Sequence, residues 1–334
     1  MIKTLIVDDS SLVRSILKDF LESEGSFEII GEAENGREGI EKAKRLVPDL
    51  ITMDIEMPVM NGLDAIVEIR KFSSCGIVVI STHDTAKMAY DATVKGAHDF
   101  FAKDIFTSLM RKYQQEEVIK TLKQICIIKN KITTQQEKPK ESDLKKRQIQ
   151  AVVIASSTGG PMALCQLLAA LAEDFPVPIM LVQHNTSGFD KGFVQWLDGY
   201  TKIKVLLAEE GTIPVRGKVY VAPTDKHMLV CSKGIIYGDG EPVHNQKPAA
   251  DMLFKSASEL YGESLISVVL TGMGNDGANG TRFVKNAGGI TIAQDEVTSM
   301  IYGMPQAAVE TGCIDIVLPL YSIADKLTEL ITKT

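Results

Sequence analysis

The chain is expected to be α/β, with two doubly wound, mostly parallel sheets. Three observations lead there. The 334 residues favour two domains, on a prior of roughly 150 residues each. Short apolar runs of strand character alternate with segments whose apolar residues recur at helical spacing, the pattern of βαβ units. Several of those runs end in residues that carry chemistry, as open parallel sheets do at the carboxyl ends of their strands.

Taken in order, TLIVDD is an apolar run ending in acids. SLVRSILKDFLES has helical spacing, FEIIGEA is strand-like and REGIEKAKRL is helical. DLITMD is a strand ending in an acid, and GIVVIST is a further strand. AYDATVKGAHDFFAKD supplies a helix, a turn and a last strand. Helical sequence continues from about Ser108 to Lys129. The polar, lysine-rich stretch that follows, interrupted by Pro139, has too few apolar residues for a core and reads as a solvated linker. The expected division is therefore 1–125, a linker at 126–149, and 150–334.

The second segment resumes with the strand AVVIA, and its helix follows Gly159-Gly160-Pro161, with Pro161 suited to a first helical turn. PIMLV and ISVVL are further apolar strands. GKVYVAP is strand-like, and HMLVCSKGIIYG is a hairpin turning near Lys233-Gly234. ADMLFKSASELYG is an amphipathic helix, GITIAQD a strand, and MPQAAVETG a helix with Pro305 near its start and Gly312 at its end.

A net charge of −7 disfavours a generic nucleic-acid surface. No apolar run approaches the roughly 20 residues of a membrane span. Carboxylates at Asp8 and Asp9 come too early for a signal peptide. Cys75, Cys126, Cys165, Cys231 and Cys313 are scattered without CxxC spacing, so reduced, mostly buried thiols in a cytoplasmic protein are expected.

Asp8 and Asp9 follow the first strand and Asp54 the third, so a parallel sheet gathers the three carboxylates at one edge. Clustered like charges call for a cation, and Mg²⁺ takes a few carboxylates while keeping several waters. Ser81 and Lys103 end later strands and face the same place. Together these groups form a phosphoryl-accepting site in which Asp54 attacks phosphorus. The plainer alternative makes each acid a helix cap or a surface acid.

With Ile6-Val7-Asp8-Asp9-Ser10, Met53 to Gly62, Ser81 and Lys103 in hand, the first 125 residues resemble a response-regulator receiver domain, which is flavodoxin-like. The resemblance implies phosphorylation of Asp54. It also implies Mg²⁺ held by Asp8, Asp9, Asp54 and the backbone carbonyl of Glu56, with Ser81 and Phe100 as switch residues. One departure stands out: receivers usually place a proline, joined by a cis bond, after the lysine, where this chain has Asp104. A cis bond before a non-proline residue costs about 3–4 kcal/mol, so either that strain is kept or the loop differs.

In the second half, AVVIA runs into Ser156-Ser157-Thr158-Gly159-Gly160, PIMLV into Gln183-His184, and ISVVL into Thr271 to Asp276. A serine hydroxyl needs a base; His184 can take its proton, and Asp276 can fix the imidazole tautomer. The glycines permit a sharp turn and close approach of a substrate. A phosphate-cradling loop at Ser156–Gly160 is the rival, although both G-x-G-x-x-G and GK[ST] are missing. On spacing alone, a working triad and separate ordinary roles for His184 and Asp276 stand level. His227 reads as a hairpin-edge histidine, His244 and Asp251 as loop and cap residues, and Cys165 as a core thiol.

Residues 150–330 resemble the catalytic domain of the chemotaxis protein-glutamate methylesterases, also protein-glutamine glutaminases. The resemblance rests on Ala155–Gly160, Gln183-His184, Val219–Pro223, Leu270–Ala278, Ile292–Asp295 and Tyr302–Pro305, in family order. A Rossmann-like domain with an antiparallel hairpin is implied. Ser157 is then nucleophile, His184 base and acid, Asp276 the orienting acid, and the Met273 backbone amide an oxyanion donor. The chain departs from the family at Ala155-Ser156, where glycine is usual, and at Asn185-Thr186, where Met-Pro-like residues are usual.

The expected protein is thus a cytoplasmic response regulator with an enzymatic output. It hydrolyses γ-methyl esters on the cytoplasmic helices of a methylated chemoreceptor, releasing methanol, and also deamidates glutamines there. A chemotaxis histidine kinase is the implied phosphodonor, and phosphorylation relieves shielding by the receiver. Mg²⁺ is expected in the receiver, no cofactor for ester cleavage, no nucleic-acid partner and no membrane insertion. A receiver controlling a binding module is a competing class, but such a module does not need all three of Ser157, His184 and Asp276. An esterase for a different ester is another.

Overall fold

The structure is a computed structural model, and it describes residues 1–82, 86–106, 112–127 and 147–332. The chain divides into two compact units, 1–132 and 133–334. The stretch expected as a linker at 126–149 lies outside the described residues, apart from Cys126-Ile127 at the end of a helix and residues 147–149.

The first unit is a five-stranded sheet of β1 (Ile2–Val7), β2 (Phe27–Ala33), β3 (Leu50–Met53), β4 (Gly76–Ser81) and β5 (Asp99–Ala102), in the order β2-β1-β3-β4-β5. Every pairing is parallel. β3 and β4 are buried along their whole length, as central strands covered on both faces must be. The covering helices are α1 (Ser11–Ser23), α2 (Gly36–Leu46), α3 (Gly62–Arg70), α4 (Ala86–Val94) and α5 (Lys112–Ile127). Three begin on capping side chains: Ser10, Asn35 and Asn61 each accept a hydrogen bond from a first-turn amide.

The second unit carries a seven-stranded sheet in the order β14-β13-β12-β6-β7-β9-β8. Its strands are β6 (Ala151–Ser156), β7 (Ile179–Gln183), β8 (Lys204–Leu207), β9 (Lys218–Val221), β12 (Leu265–Val269), β13 (Ile290–Gln294) and β14 (Ile316–Leu318). They run parallel throughout. The hairpin β10 (His227–Cys231) and β11 (Gly234–Gly238) stands apart as an antiparallel pair. The helices are α6 (Gly160–Ala169), α7 (Asp190–Tyr200), α8 (Ala250–Tyr261), α9 (Ala278–Asn286), α10 (Met304–Glu310) and α11 (Leu320–Thr332). Three of these, α7, α9 and α11, and the edge strands β8 and β14 fall where the sequence reading assigns no element.

Both sheets reverse their strand order. In the first unit the reversal lies between β1 and β3; in the second one lies around β6, flanked by β12 and β7, and another at β9, beside the edge strand β8. A crevice opens outside the carboxyl ends of the strands at such a reversal. Asp8, Asp9 and Asp54 follow the strands at the reversal in the first unit, and Ser157, His184 and the turn Thr271–Asp276 follow β6, β7 and β12 at the one around β6. Among the described residues no helix is long and apolar enough to cross a membrane. The five cysteines are free as expected, but only Cys75 is buried; the other four, Cys165 included, are half-buried.

Candidate active site and phosphoacceptor pocket

In the first unit Asp8 and Asp9 leave β1 and Asp54 leaves β3. The three carboxylates bring one oxygen each within 4.8 Å of one another. None caps a helix, since Ser10 caps α1 and Asn61 caps α3; Asp8 and Asp54 are buried and Asp9 is exposed. Arg14, itself paired with Glu32 and Glu34, donates to the carbonyls of Asp8 at 2.8 Å and Asp9 at 3.3 Å and so fixes the acidic turn from behind. Gly62 lets α3 start against the Asp54 peptide, because a Cβ there would overlap the Asp54 carbonyl oxygen.

Lys103 lies 2.8 Å from Asp54 Oδ2 and 2.9 Å from Asp8 Oδ2. It arrives there without the strain the sequence left open. Among the described residues the cis peptide is Lys247-Pro248, so Lys103-Asp104 is trans, and the chain leaves β5 in a 3-10 turn over Lys103–Phe106. Burial, helped by the charge of Asp8 and opposed by Lys103, pushes the Asp54 carboxyl up to about 6. Burial alone would lower the Lys103 ammonium; its hydrogen bonds to Asp54 and Asp8 outweigh that and raise it. A single ammonium therefore does not balance the carboxylates, and the all-oxygen donor set suits a hard divalent cation. Ser81 is buried at the end of β4. Phe100 is packed inward, edge-on to Tyr90 at 4.6 Å between ring centres. Glu56 sits on the turn after Asp54 with an exposed side chain.

In the second unit Ser157 follows β6, His184 follows β7, and the turn Thr271–Asp276 follows β12. These are adjacent strands, with Ser156 opposite Gln183 in register. The Ser157 amide donates to the Thr271 carbonyl at 3.1 Å, and the Gly160 amide to the Ser157 carbonyl at 2.7 Å. Two amides of the turn, those of Ser157 and Gly160, are therefore spent on protein carbonyls, and Pro161 has none. Gly159 takes φ +75°, the left-handed turn the sequence anticipated. Gly160 differs from expectation: its open face is filled by the Gln183 side-chain oxygen, which a Cβ would overlap, and not by a substrate.

His184 Nε2 lies 2.7 Å from Asp276 Oδ2. His184 Nδ1 is buried and has no hydrogen-bond partner among the described residues. Asp276 also accepts from the amides of Ala250 at 2.6 Å and Asp251 at 2.9 Å. Burial opposes its charge, but the hydrogen bond and charge of His184, with those amides, hold the carboxyl below its usual range. An ionised Asp276 thus fixes the proton on Nε2 and leaves Nδ1 as the basic nitrogen. Ser157 is half-buried just past the end of the neighbouring strand, and no hydrogen bond joins its hydroxyl to that nitrogen, as is common before a substrate tightens such a site.

Met273 is half-buried in the turn after β12. Its neighbour Gly272 packs on the nucleophile, since a Cβ there would come within 2.8 Å of Ser157 Cβ. That turn is pinned by Gly272 accepting from the Gly303 and Met304 amides at 3.1 and 2.8 Å. Thr271 Oγ1 adds a bond to the Thr158 carbonyl at 3.0 Å.

His227 is buried between the Glu241 carbonyl and the Ala249 amide, a structural histidine as expected. Two residues do more than close a loop and cap a helix. His244 pairs with Asp251 at 3.1 Å, and Asp251 accepts from Gly277 at 2.9 Å and Gly280 at 2.6 Å, directly behind Asp276. Burial, with the charge of Asp276, raises the Asp251 carboxyl. The only signal in the sequence is an acid in a first helical turn, which is too common to single out.

A phosphoacceptor-type aspartate pocket on one α/β unit and a serine, histidine and aspartate on the crevice of a second have the layout of a response regulator with a hydrolase output. The comparisons agree. Residues 152–327 match the CheB methylesterase family and residues 4–114 the response regulator receiver domain. The chain belongs to the CheB methylesterase family and carries its receiver domain. A protein-glutamate methylesterase/protein-glutamine glutaminase of Pyrococcus horikoshii is 40% identical over 350 residues, covering 99% of this chain and 93% of that protein. One of Thermotoga maritima is 37% identical, covering 99% of each. The crystal structure of the Thermotoga maritima CheB methylesterase catalytic domain aligns with TM-score 0.53 at 39% identity, over 55% of this chain and all (100%) of that domain.

Proposed function

We propose that this protein hydrolyses γ-methyl esters of glutamate on chemoreceptors, with Ser157 as nucleophile, His184 as base and acid, and Asp276 as the orienting acid. The observation that carries the reading is the buried Nδ1, without a partner among the described residues, of a histidine whose Nε2 is held by Asp276, at the end of the strand next to that of Ser157. Ser157 Oγ attacks the ester carbonyl carbon while its proton passes to His184 Nδ1. The developing oxyanion is received by the Met273 amide. Collapse breaks the carbonyl–methoxy bond, and His184 returns the proton to the leaving group, giving methanol and an acyl-enzyme. Water then attacks; His184 takes its proton and gives it back to Ser157 as glutamate leaves. A glutamine side chain follows the same course with ammonia as leaving group. None of these steps requires a cofactor.

In the receiver, Asp54 accepts a phosphoryl group from a histidine kinase. Asp8, Asp9, Asp54 and the Glu56 carbonyl would hold Mg²⁺, which offsets the charge of the transferring group. Lys103, already on Asp54 and Asp8, supports the same charge. Ser81 and Phe100 report the phosphorylated state, which raises hydrolase activity. The working place is the cytoplasm, where receptor helices and kinase meet.

The test is methanol release from a methylated receptor fragment by the full chain with Mg²⁺ and a small-molecule phosphodonor. Wild type should release methanol and Ser157→Ala should not. Release by neither moves the activity to a different ester.

A further inference from the structure

We propose that Gln183 is a positioning residue for ester cleavage: one buried amide that ties the peptide of the nucleophile to the peptide of the base. Ser156 holds that amide in its working orientation. The inference rests on the roles given to Ser157 and His184 above.

Gln183 ends β7 and is buried. Its Nε2 donates to the Ser157 carbonyl at 3.0 Å and to the His184 carbonyl at 2.9 Å. Its Oε1 accepts from Ser156 Oγ at 2.7 Å. The amide cannot turn over without cost, because Oε1 would then face two carbonyl oxygens. Gly160 leaves room for Oε1 by lacking a side chain.

The consequence is a closed frame. The Ser157 peptide is fixed through its N–H to Thr271 and through its carbonyl to Gly160 and Gln183. The His184 peptide is fixed through its N–H to the Ser156 carbonyl at 3.0 Å and through its own carbonyl to the same Nε2. With both backbones on one rigid group, only side-chain torsions remain to bring Ser157 Oγ to His184 Nδ1.

The experiment measures methanol release from a methylated receptor fragment by the full chain, with sites counted by fluorophosphonate labelling of Ser157. Gln183→Met keeps the volume and removes the donors. Its kcat per titrated site should fall by up to about 100-fold, the scale of a small misplacement, at unchanged KM. Ser156→Ala should lower kcat about fivefold, the worth of one hydrogen bond, and should have little further effect in the Gln183→Met background. A wild-type rate per titrated site in Gln183→Met, with activity lost only in step with unfolded protein, would make the amide a packing element and overturn the proposal. If Gln183→Met does not fold, Ser156→Ala decides alone: lower kcat at unchanged KM supports the frame, and unchanged kcat overturns it. Retained activity in Ser157→Ala would instead overturn the site reading itself.

Discussion

Asp251 and Asp276 exchange helix caps. Asp276, just before α9, accepts from the first amides of α8, while Asp251, in the first turn of α8, accepts from Gly277 and Gly280 at the start of α9. The exchange locks the two helices together where Asp276 also holds His184. Two like charges are brought together by it, and the structure meets that cost differently on each side. Asp276 takes His184 and stays ionised, whereas Asp251 takes the half-exposed His244 and is raised.

Truncation of Asp251 is therefore costly while neutralisation is not. Asp251→Ala leaves the buried amide of Gly280 without its acceptor, while Gly277 keeps Asp276 Oδ1 at 3.0 Å, and should cost about 1–3 kcal/mol. Asp251→Asn keeps the acceptor and removes the repulsion, and should stay within about 1 kcal/mol of wild type. Urea unfolding followed by Trp196, the single, buried tryptophan, reads both.

The acid limb of stability depends on Asp276. Its folded carboxyl lies below the usual 3.8, so its contribution is complete above that value and disappears as pH falls through the lower, folded one. Asp276→Asn should flatten the loss of the urea midpoint in that acid window and lower stability at neutral pH. An unchanged acid limb would mean that the carboxylate is not held ionised by its partners.

The receiver unit has the opposite sign. Asp54 titrates at about 6 in the fold against 3.8 ordinarily. Without a divalent cation it costs stability above pH 6, and the cost is relieved as pH drops from there towards 3.8. In EDTA the first unit should become more stable as pH falls through that range, and Asp54→Asn should be more stable at neutral pH and lose this dependence. Asp54→Asn should also keep basal methanol release while failing to respond to a phosphodonor.

Gly272 sets the clearance at the nucleophile. A Cβ there would crowd Ser157 and overlap the Met304 sulfur, so Gly272→Ala should lower kcat by about 100-fold through misplacement of Ser157 and its turn. Gly312→Ala is the control. It meets nothing within 4 Å but sits at φ +71°, and should cost about 1 kcal/mol of stability with kcat unchanged.

The legible part of this protein was what strands write locally. Buried parallel strands read as unbroken apolar runs, so β1, β3, β6, β7 and β12 could be found, and with them the residues at their carboxyl ends. Edge strands β8 and β14 are short and half-exposed, and carry no such run. The helix α9 hides for another reason. Its Gly280 is there to let Phe254 approach, which weakens the helical signal in return for packing. Helix α11, by contrast, has a clear apolar stripe of Leu320, Ile323, Ala324, Leu327 and Ile331 and was open to recognition. Asp251 and Gln183 were beyond reach because their roles exist only once distant segments meet: α8 with α9, and the end of β7 with the turn after β6.

The most direct test of the account is to find the acyl-enzyme. A methylated receptor-helix peptide would be mixed with the full chain, quenched in acid within the first turnovers and mapped by mass spectrometry. The account predicts the γ-glutamyl peptide esterified to Ser157, and none in Ser157→Ala. Methanol release without any adduct on Ser157, or with the adduct on a different residue, would contradict it.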